Sequence, residues 1–270
     1  MTLSTAPAAP TVAASSRARR APVRWPWILV GAAWALALLA TLTHQSYVID
    51  HRFLLEQSGL PWLLALLLFL AMWQVMTLAM MLPSSMPMLK MLIYASRKQA
   101  RPHAVQAAFL AAYAAVWTGF AVLAFANDTL IHRLVAAWPW LAAHSWLIGA
   151  TTFAVAGAFQ FSSLKERCLT ACRSPFGFFL RYYRNGASAA WNLGLRHGLF
   201  CLGCCWALML VMFGVGVGGL AWMAVLAGVM TIEKAIPGGR RIGPLVGVTL
   251  LLLAALWLAQ PLGIIFPGLG

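Results

Sequence analysis

The segment Arg196–Met212 has the sequence RHGLFCLGCCWALMLVM and combines an apolar character with soft metal ligands. It is apolar enough to lie in a membrane, yet it contains three of the five cysteines, one histidine and two methionines. In a helix, residues four apart share a face. The spacing therefore predicts one helical stripe, with Met212 close by, made of His197, Cys201, Cys205 and Met209.

The composition around this segment is that of a membrane protein. Of the 270 residues, 62% are hydrophobic and 9% are charged, and the mean hydropathy is +0.83. Soluble globular domains contain far more charge. Lys and Arg outnumber Asp and Glu by 19 to 5, and cytoplasmic loops of membrane proteins carry such an excess. We therefore predict a polytopic membrane protein and no nucleic-acid partner.

Apolar runs along the chain predict an all-α protein of about seven transmembrane helices. Each run is roughly long enough to cross about 30 Å of hydrocarbon. The first 24 residues are rich in Ala, Pro and Ser and end in arginines, which predicts a disordered, basic cytoplasmic tail. Residues 25–266 would then form a single transmembrane helical domain. The predicted spans lie at about 25–43, 61–82, 104–126, 143–164, 197–215, 219–236 and 243–262.

The distribution of basic residues predicts the orientation in the membrane. With the N-terminus in the cytoplasm, 17 of the 19 Lys and Arg residues lie in the tail or in loops on that side. The loop from 173 to 190 mixes aromatic and basic residues, which suits the headgroup region of an anionic inner leaflet. We therefore expect a multi-pass protein of the bacterial inner membrane. The cytoplasmic loops would be 90–103, 165–196 and 233–241.

This orientation places all five cysteines in the cytoplasmic half of the membrane. Cys168 and Cys172 follow the fourth predicted span, and Cys201, Cys204 and Cys205 lie in the inner part of the fifth. A reducing cytoplasm keeps thiols free. Metal binding or redox chemistry is therefore expected, and structural disulfides are not.

Methionines extend the same pattern to the second and sixth spans. Met72, Met76 and Met80 are four residues apart, and Glu233 follows Met230 by three on one helical face. Pro83 and Pro87 interrupt the helix near its cytoplasmic end, so backbone groups freed there need protein or water as partners. Since a carboxylate near a span is costly, Glu233 is a further candidate for function.

Thiolate and thioether ligands together favour Cu(I), with Zn(II) as the alternative where cysteine and histidine dominate. Simple packing is the competing interpretation, because Met and Cys are also common in apolar interiors. The expected partners are the lipid bilayer and either a metal ion or a protein that donates it. The candidate metal ligands are Cys201, Cys204, Cys205, His197, Met209, Met76, Met80, Cys168, Cys172 and Glu233.

Two other classes of function remain open at this stage. Cys201 with Cys204 or Cys205 could serve a membrane thiol-disulfide or electron-transfer protein, since a Cys-x-x-Cys pair at a helix start is a known redox arrangement. Alternatively, the protein could be an assembly scaffold in which the sulfur residues only pack. No hydrolase, kinase or dinucleotide-binding motif is present, so no catalytic residue is assigned.

Several of these motifs resemble a family of bacterial integral membrane proteins that carry a domain of unknown function and are described as predicted metal-binding. The resemblance covers roughly residues 60–240 and implies a polytopic inner-membrane protein with a metal role. It does not imply a particular metal. The matching motifs are Trp73–Met76, Ala79–Pro83, Phe159–Phe161, Leu164-Lys165 with Cys168 and Cys172, Gly198, Cys201, Gly203–Trp206, Met209, Trp222-Met223 and Glu233-Lys234.

Overall fold

The computed structural model describes residues 24–43, 59–215 and 219–259. These residues form eleven α-helices and one short 3₁₀ helix, Gly239–Arg241, and contain no strand. The predicted basic tail lies outside the described residues, apart from Arg24. The helices are α1 Trp25–Leu42, α2 Trp62–Met80, α3 Leu82–Ser96, α4 Pro102–Ala137, α5 Pro139–Ala143, α6 Trp146–Phe159, α7 Ser163–Arg173, α8 Pro175–Tyr182, α9 Ala187–Val215, α10 Leu220–Ala235 and α11 Ile242–Ala259.

Five helical segments in the described part of the chain are long and apolar enough to cross a membrane. They correspond to the first, second, third, fifth and seventh predicted spans. The fourth predicted span coincides with α6 and α7, which are bent by 62° relative to each other. Counted as one broken span, this pair makes a sixth crossing. The 16 residues of α10 coincide with the predicted span 219–236, and they reach only about 24 Å at 1.5 Å per residue.

The bounds of several helices differ from the apolar runs because polar residues also continue a helix. The helix α9 begins at Ala187, ten residues before the predicted span, and α4 has 36 residues. The segment 173–190 was expected as an interfacial loop. It contains α8, whose Phe178 and Phe179 are buried in the protein.

A break between α2 and α3 confirms the predicted effect of Pro83, whereas the predicted interruption at Pro87 is wrong, because α3 continues through this residue to Ser96. Proline has no N–H group, so the carbonyl oxygen of Ala79 loses its helical donor. Instead, the indole Nε1 of Trp34 in α1 donates a hydrogen bond to this oxygen at 3.1 Å. The hydroxyl of Ser84 donates to the carbonyl oxygen of Met81 at 2.8 Å. The chain turns at Met81 without leaving either of these carbonyls unpaired.

The centre of the bundle is formed by α4 and α9, which pack along much of their length. Small residues allow the close approach: a Cβ atom at Gly198 would lie 3.0 Å from Cγ2 of Val116. Such stripes of small residues are typical of helix pairs in membranes. The largest cluster of buried apolar residues lies around α9 and includes Cys201, Cys204 and Cys205.

We expect Gly157→Ala to destabilise the packing of α6 against α11. A Cβ atom at Gly157 would lie 2.8 Å from Cγ of Leu251 and 2.9 Å from the carbonyl oxygen of Gly247. Because one neighbour is backbone, the helices must separate, at a cost of about 1–3 kcal/mol. Thermal unfolding in detergent measures the loss. Gly119→Ala is the control, since a Cβ there meets nothing within 4 Å. Equal unfolding temperatures for both variants would contradict the prediction.

Candidate metal site

Sulfur atoms from three segments meet beside the middle of α9. Sγ of Cys172 in α7 lies 3.9 Å from Sγ of Cys204. Sγ of Cys205 lies 3.6 Å from Sδ of Met81, at the break between α2 and α3. We call Met81, Cys172, Cys201, Cys204 and Cys205 the sulfur cluster. The cluster brings together the cysteines of the fourth and fifth predicted spans and a methionine from the end of the second.

The helical backbone of α9 orients two of these thiols. Sγ of Cys204 and Sγ of Cys205 donate to the carbonyl oxygen of Cys201, at 3.1 and 2.8 Å. These bonds hold both side chains against their own helix. The cysteines of α9 are fully buried, whereas Cys172 is partly exposed.

A buried lysine, which the sequence analysis did not select, lies against the cluster. Nζ of Lys234 in α10 is 3.2 Å from Sγ of Cys201 and 3.6 Å from Sγ of Cys205. Its side chain is 6% exposed, so its positive charge is removed from water. One sequence signal could have identified it: Lys234 follows Met230 by four residues and continues that face of the helix.

Tyr113 of α4 is a second residue that the sequence analysis missed. Its hydroxyl group lies 3.1 Å from Sγ of Cys201 and accepts a hydrogen bond of 3.3 Å from Ser85. A hydrogen-bonded chain therefore runs from Ser85 through Tyr113 and Cys201 to Lys234. Nothing in the local sequence singles out this tyrosine, because its partners come from other helices.

Glu233, a predicted ligand, forms a buried ion pair. Both of its carboxylate oxygens accept hydrogen bonds of 2.8 Å from Nζ of Lys165, which also donates to Oε1 of Gln160. The side chains of Lys165 and Glu233 are 3% and 2% exposed. Arg173 donates to the carbonyl oxygens of Glu233 and Ile236, and so anchors the end of α10 to α7.

His197 lies in an aromatic environment next to the cluster. Its ring stacks on Phe109 and on Tyr113, each with centroids 5.8 Å apart, and meets Phe178 edge-on. Its Nε2 atom is buried and has no hydrogen-bond partner among the described residues. A ligand role for His197 stays a prediction, and the contacts that surround it are with rings.

The other predicted ligands lie in the same apolar core. Met76, Met80 and Met209 are buried there. The methionine sulfur that contacts a cysteine of α9 belongs to Met81, at the break between α2 and α3, and not to Met80. Cys168 packs against Gly203, where a Cβ atom would lie 2.6 Å from its Sγ. Their ligand roles also stay predictions.

The donor set of the cluster consists of soft thiol and thioether groups. In the described part of the chain, no three His, Cys, Asp or Glu side chains are grouped so as to hold a metal. Structural zinc sites use four such ligands and catalytic ones three, whereas thiolate together with thioether favours Cu(I). With metal–sulfur bonds of about 2.3 Å, as in zinc thiolates, sulfurs 3.9 Å apart subtend roughly 115° at the ion. The sulfur atoms of Cys172 and Cys204 can therefore both bind the same ion with little movement of either side chain.

Comparison with known proteins shows a family for this chain. No curated protein and no solved structure matches the chain. The model of the PpoB2 family, described as copper chaperone, matches residues 70–257. The match includes every residue of the sulfur cluster together with Lys165, Glu233 and Lys234. Since it covers more than half of the chain, this protein belongs to the PpoB2 family of copper chaperones.

Proposed function

We propose that this protein is a membrane-embedded chaperone that carries Cu(I) on the sulfur cluster. The observation that carries the proposal is the meeting of Cys172 with Cys204 and of Cys205 with Met81. Both pairs consist of soft donors, and both join different segments of the chain. Soft donors favour the monovalent state of copper, which is the cargo in this proposal.

The two sulfur pairs have different tasks in this mechanism. The thiolates of Cys172 and Cys204 hold the ion, and each thiol gives its proton to water on binding. Met81 and Cys205 form a second position to which the ion can move. Thioethers bind soft ions without adding charge, so they suit transfer more than storage. Met76, Met80 and Met209 of the same core, with His197, would be further ligands during passage.

The exposure of Cys172 gives the proposed direction of transfer. It is the one partly exposed member of the Cys172–Cys204 pair, so a donor or acceptor protein can reach it first. The loops around it are basic, and by the positive-inside rule they face the cytoplasm. We therefore propose seven spans, a cytoplasmic N-terminus, a location in the inner membrane and exchange of copper with a partner protein on the cytoplasmic side.

Anaerobic copper loading tests this function. The full chain, purified in detergent without oxygen, is expected to take Cu(I) from a chromophoric chelator and to retain it on gel filtration. Zinc, offered in the same way, should be retained less, because the thioether of Met81 is a poor ligand for zinc and thiolate with thioether favours Cu(I). Failure to retain copper would contradict the proposal. Reporter fusions in the loops 97–101 and 183–186 test the orientation separately.

We expect Met81→Leu to lower the affinity for Cu(I) by roughly tenfold, or about 1.4 kcal/mol. Leucine keeps the volume but removes the thioether next to Cys205. Competition with the chelator measures the change. Met91→Leu is the control, since Met91 is partly buried and packs against the other apolar cluster of the bundle. Equal affinities of the two variants would show that Met81 only packs.

A thiol-disulfide function is the second candidate, and one observation favours it. Cys172 and Cys204 are already adjacent, so a two-electron oxidant could join them by loss of two protons. Mild oxidation followed by mass spectrometry of peptides would detect this bond. A protein that forms it rapidly and binds no Cu(I) when reduced would be assigned to redox chemistry. A reduced protein that binds Cu(I) would be assigned to copper transfer.

A further inference from the structure

The sulfur cluster lies beside an uncompensated positive charge. The buried Lys, Arg, Asp and Glu side chains of the described residues are Lys165, Glu233 and Lys234. Lys165 and Glu233 pair with each other through both carboxylate oxygens and cancel in charge. The remaining charge, Lys234, contacts no carboxylate and has the sulfur atoms of Cys201 and Cys205 as its partners.

This arrangement is costly unless negative charge forms nearby. An ammonium group buried without an anion loses its hydration and gains little in return. Arg173, the next cation, is partly exposed, so water screens its charge. Lys234 contacts Cys201 and Cys205 directly, and Cys204 is held on the same turn of α9 by its bond to the carbonyl oxygen of Cys201, so the charge lies next to the sulfur cluster. Thiolates formed on metal binding are the anions that this position can compensate.

The sum of charges then depends on the valence of the bound ion. Two thiolates and a monovalent ion leave one negative charge, which Lys234 cancels. Two thiolates and a divalent ion are already neutral, so Lys234 would remain as an unbalanced positive charge that repels the ion. We propose that Lys234 is the specificity-determining residue that makes the sulfur cluster select monovalent soft cations over divalent ones. This inference rests on the proposed function, since it concerns the same site.

Exchange of Lys234 for an uncharged residue of similar length tests the inference. Full-length wild type and Lys234→Met, both reduced and in detergent, are titrated with Ag(I) and with Cd(II), which are redox-inert soft ions of the two valences. We expect the variant to bind Ag(I) at least about 100-fold more weakly and Cd(II) at least about tenfold more tightly. Lys98→Met is the control, because it removes the same charge from an exposed position. It should retain the preference of the wild type.

The possible results separate the inference from the proposed function. If the wild type binds Ag(I) and Lys234→Met shows the same ratio of affinities, the selectivity role is wrong and the copper function stands. If the wild type binds neither Ag(I) nor Cu(I), both are wrong. If Lys234→Met fails to fold, Lys234→Gln, which is also uncharged but keeps a polar end, takes its place in the same titrations. Equal affinity of the wild type for Ag(I) and Cd(II) would overturn the inference, and a preference for Ag(I) that is lost in the Lys234 variant would support it, because sulfur ligands alone already favour Ag(I).

Discussion

Cys204→Ser is expected to lower the affinity for Cu(I) at least about 100-fold, or about 2.7 kcal/mol. The exchange replaces a soft thiolate by a hydroxyl group, which does not bind soft ions and keeps its proton at neutral pH. Cys172→Ser should have a similar effect, because the two sulfur atoms 3.9 Å apart hold the same ion. Competition with a Cu(I) chelator under anaerobic conditions measures both losses.

The double variant sharpens this test. If Cys172 and Cys204 act as one site, Cys172→Ser with Cys204→Ser should bind little more weakly than either single variant, because neighbouring ligands are not additive. Ala171→Ser is the control, since it introduces the same hydroxyl group at the adjacent position of α7. Losses that add fully would show that the two cysteines serve different ions. Wild-type affinity in either single variant would remove that cysteine from the site.

Glu233→Gln is expected to destabilise the fold by about 3–5 kcal/mol, because it leaves the charge of Lys165 buried without a partner. The ion pair is 2.8 Å long, and both side chains are almost fully buried. It joins α7, which contains Cys172, to α10, which contains Lys234. Chemical unfolding in mixed micelles measures the loss.

A charge-neutral double variant is the control for this prediction. Lys165→Met with Glu233→Leu removes both charges together and should recover most of the lost stability, because no unpaired charge remains. A double variant as unstable as Glu233→Gln would show that the packing around these side chains matters, and not their pairing. A fully stable Glu233→Gln would contradict the ion pair itself.

Much of the architecture followed from the sequence because it depends on local properties. Apolar runs predicted helices, and five of them are long and apolar enough to cross a membrane. Pro83 predicted a break with freed carbonyls, which Trp34 confirms by its bond to Ala79. Helix ends were less predictable, because an apolar run ends at the first polar residue while the backbone hydrogen bonds of the helix continue beyond it. This difference explains why α9 begins ten residues early.

The sequence predicted the chemistry of the metal site better than it predicted which residues form the site. Copper as the metal follows from ligand softness, and the family match supports it. Met81 was not selected, although its neighbour Met80 was. Adjacent residues on a helix lie about 100° apart, so the sequence could not tell which of them faces α9. The same geometry separates Glu233, which faces Lys165, from Lys234, which faces the cysteines.

The sequence by itself determined that this chain is helical, strongly apolar and rich in soft ligands, since composition and periodicity suffice for these properties. Only the tertiary structure decided that Cys172 meets Cys204, that Cys205 meets Met81 and that the charge of Lys234 lies beside these sulfur atoms. The reason is physical. Contacts between helices depend on how they rotate and pack, and small residues such as Gly198 and Gly203 set that packing by the space they leave.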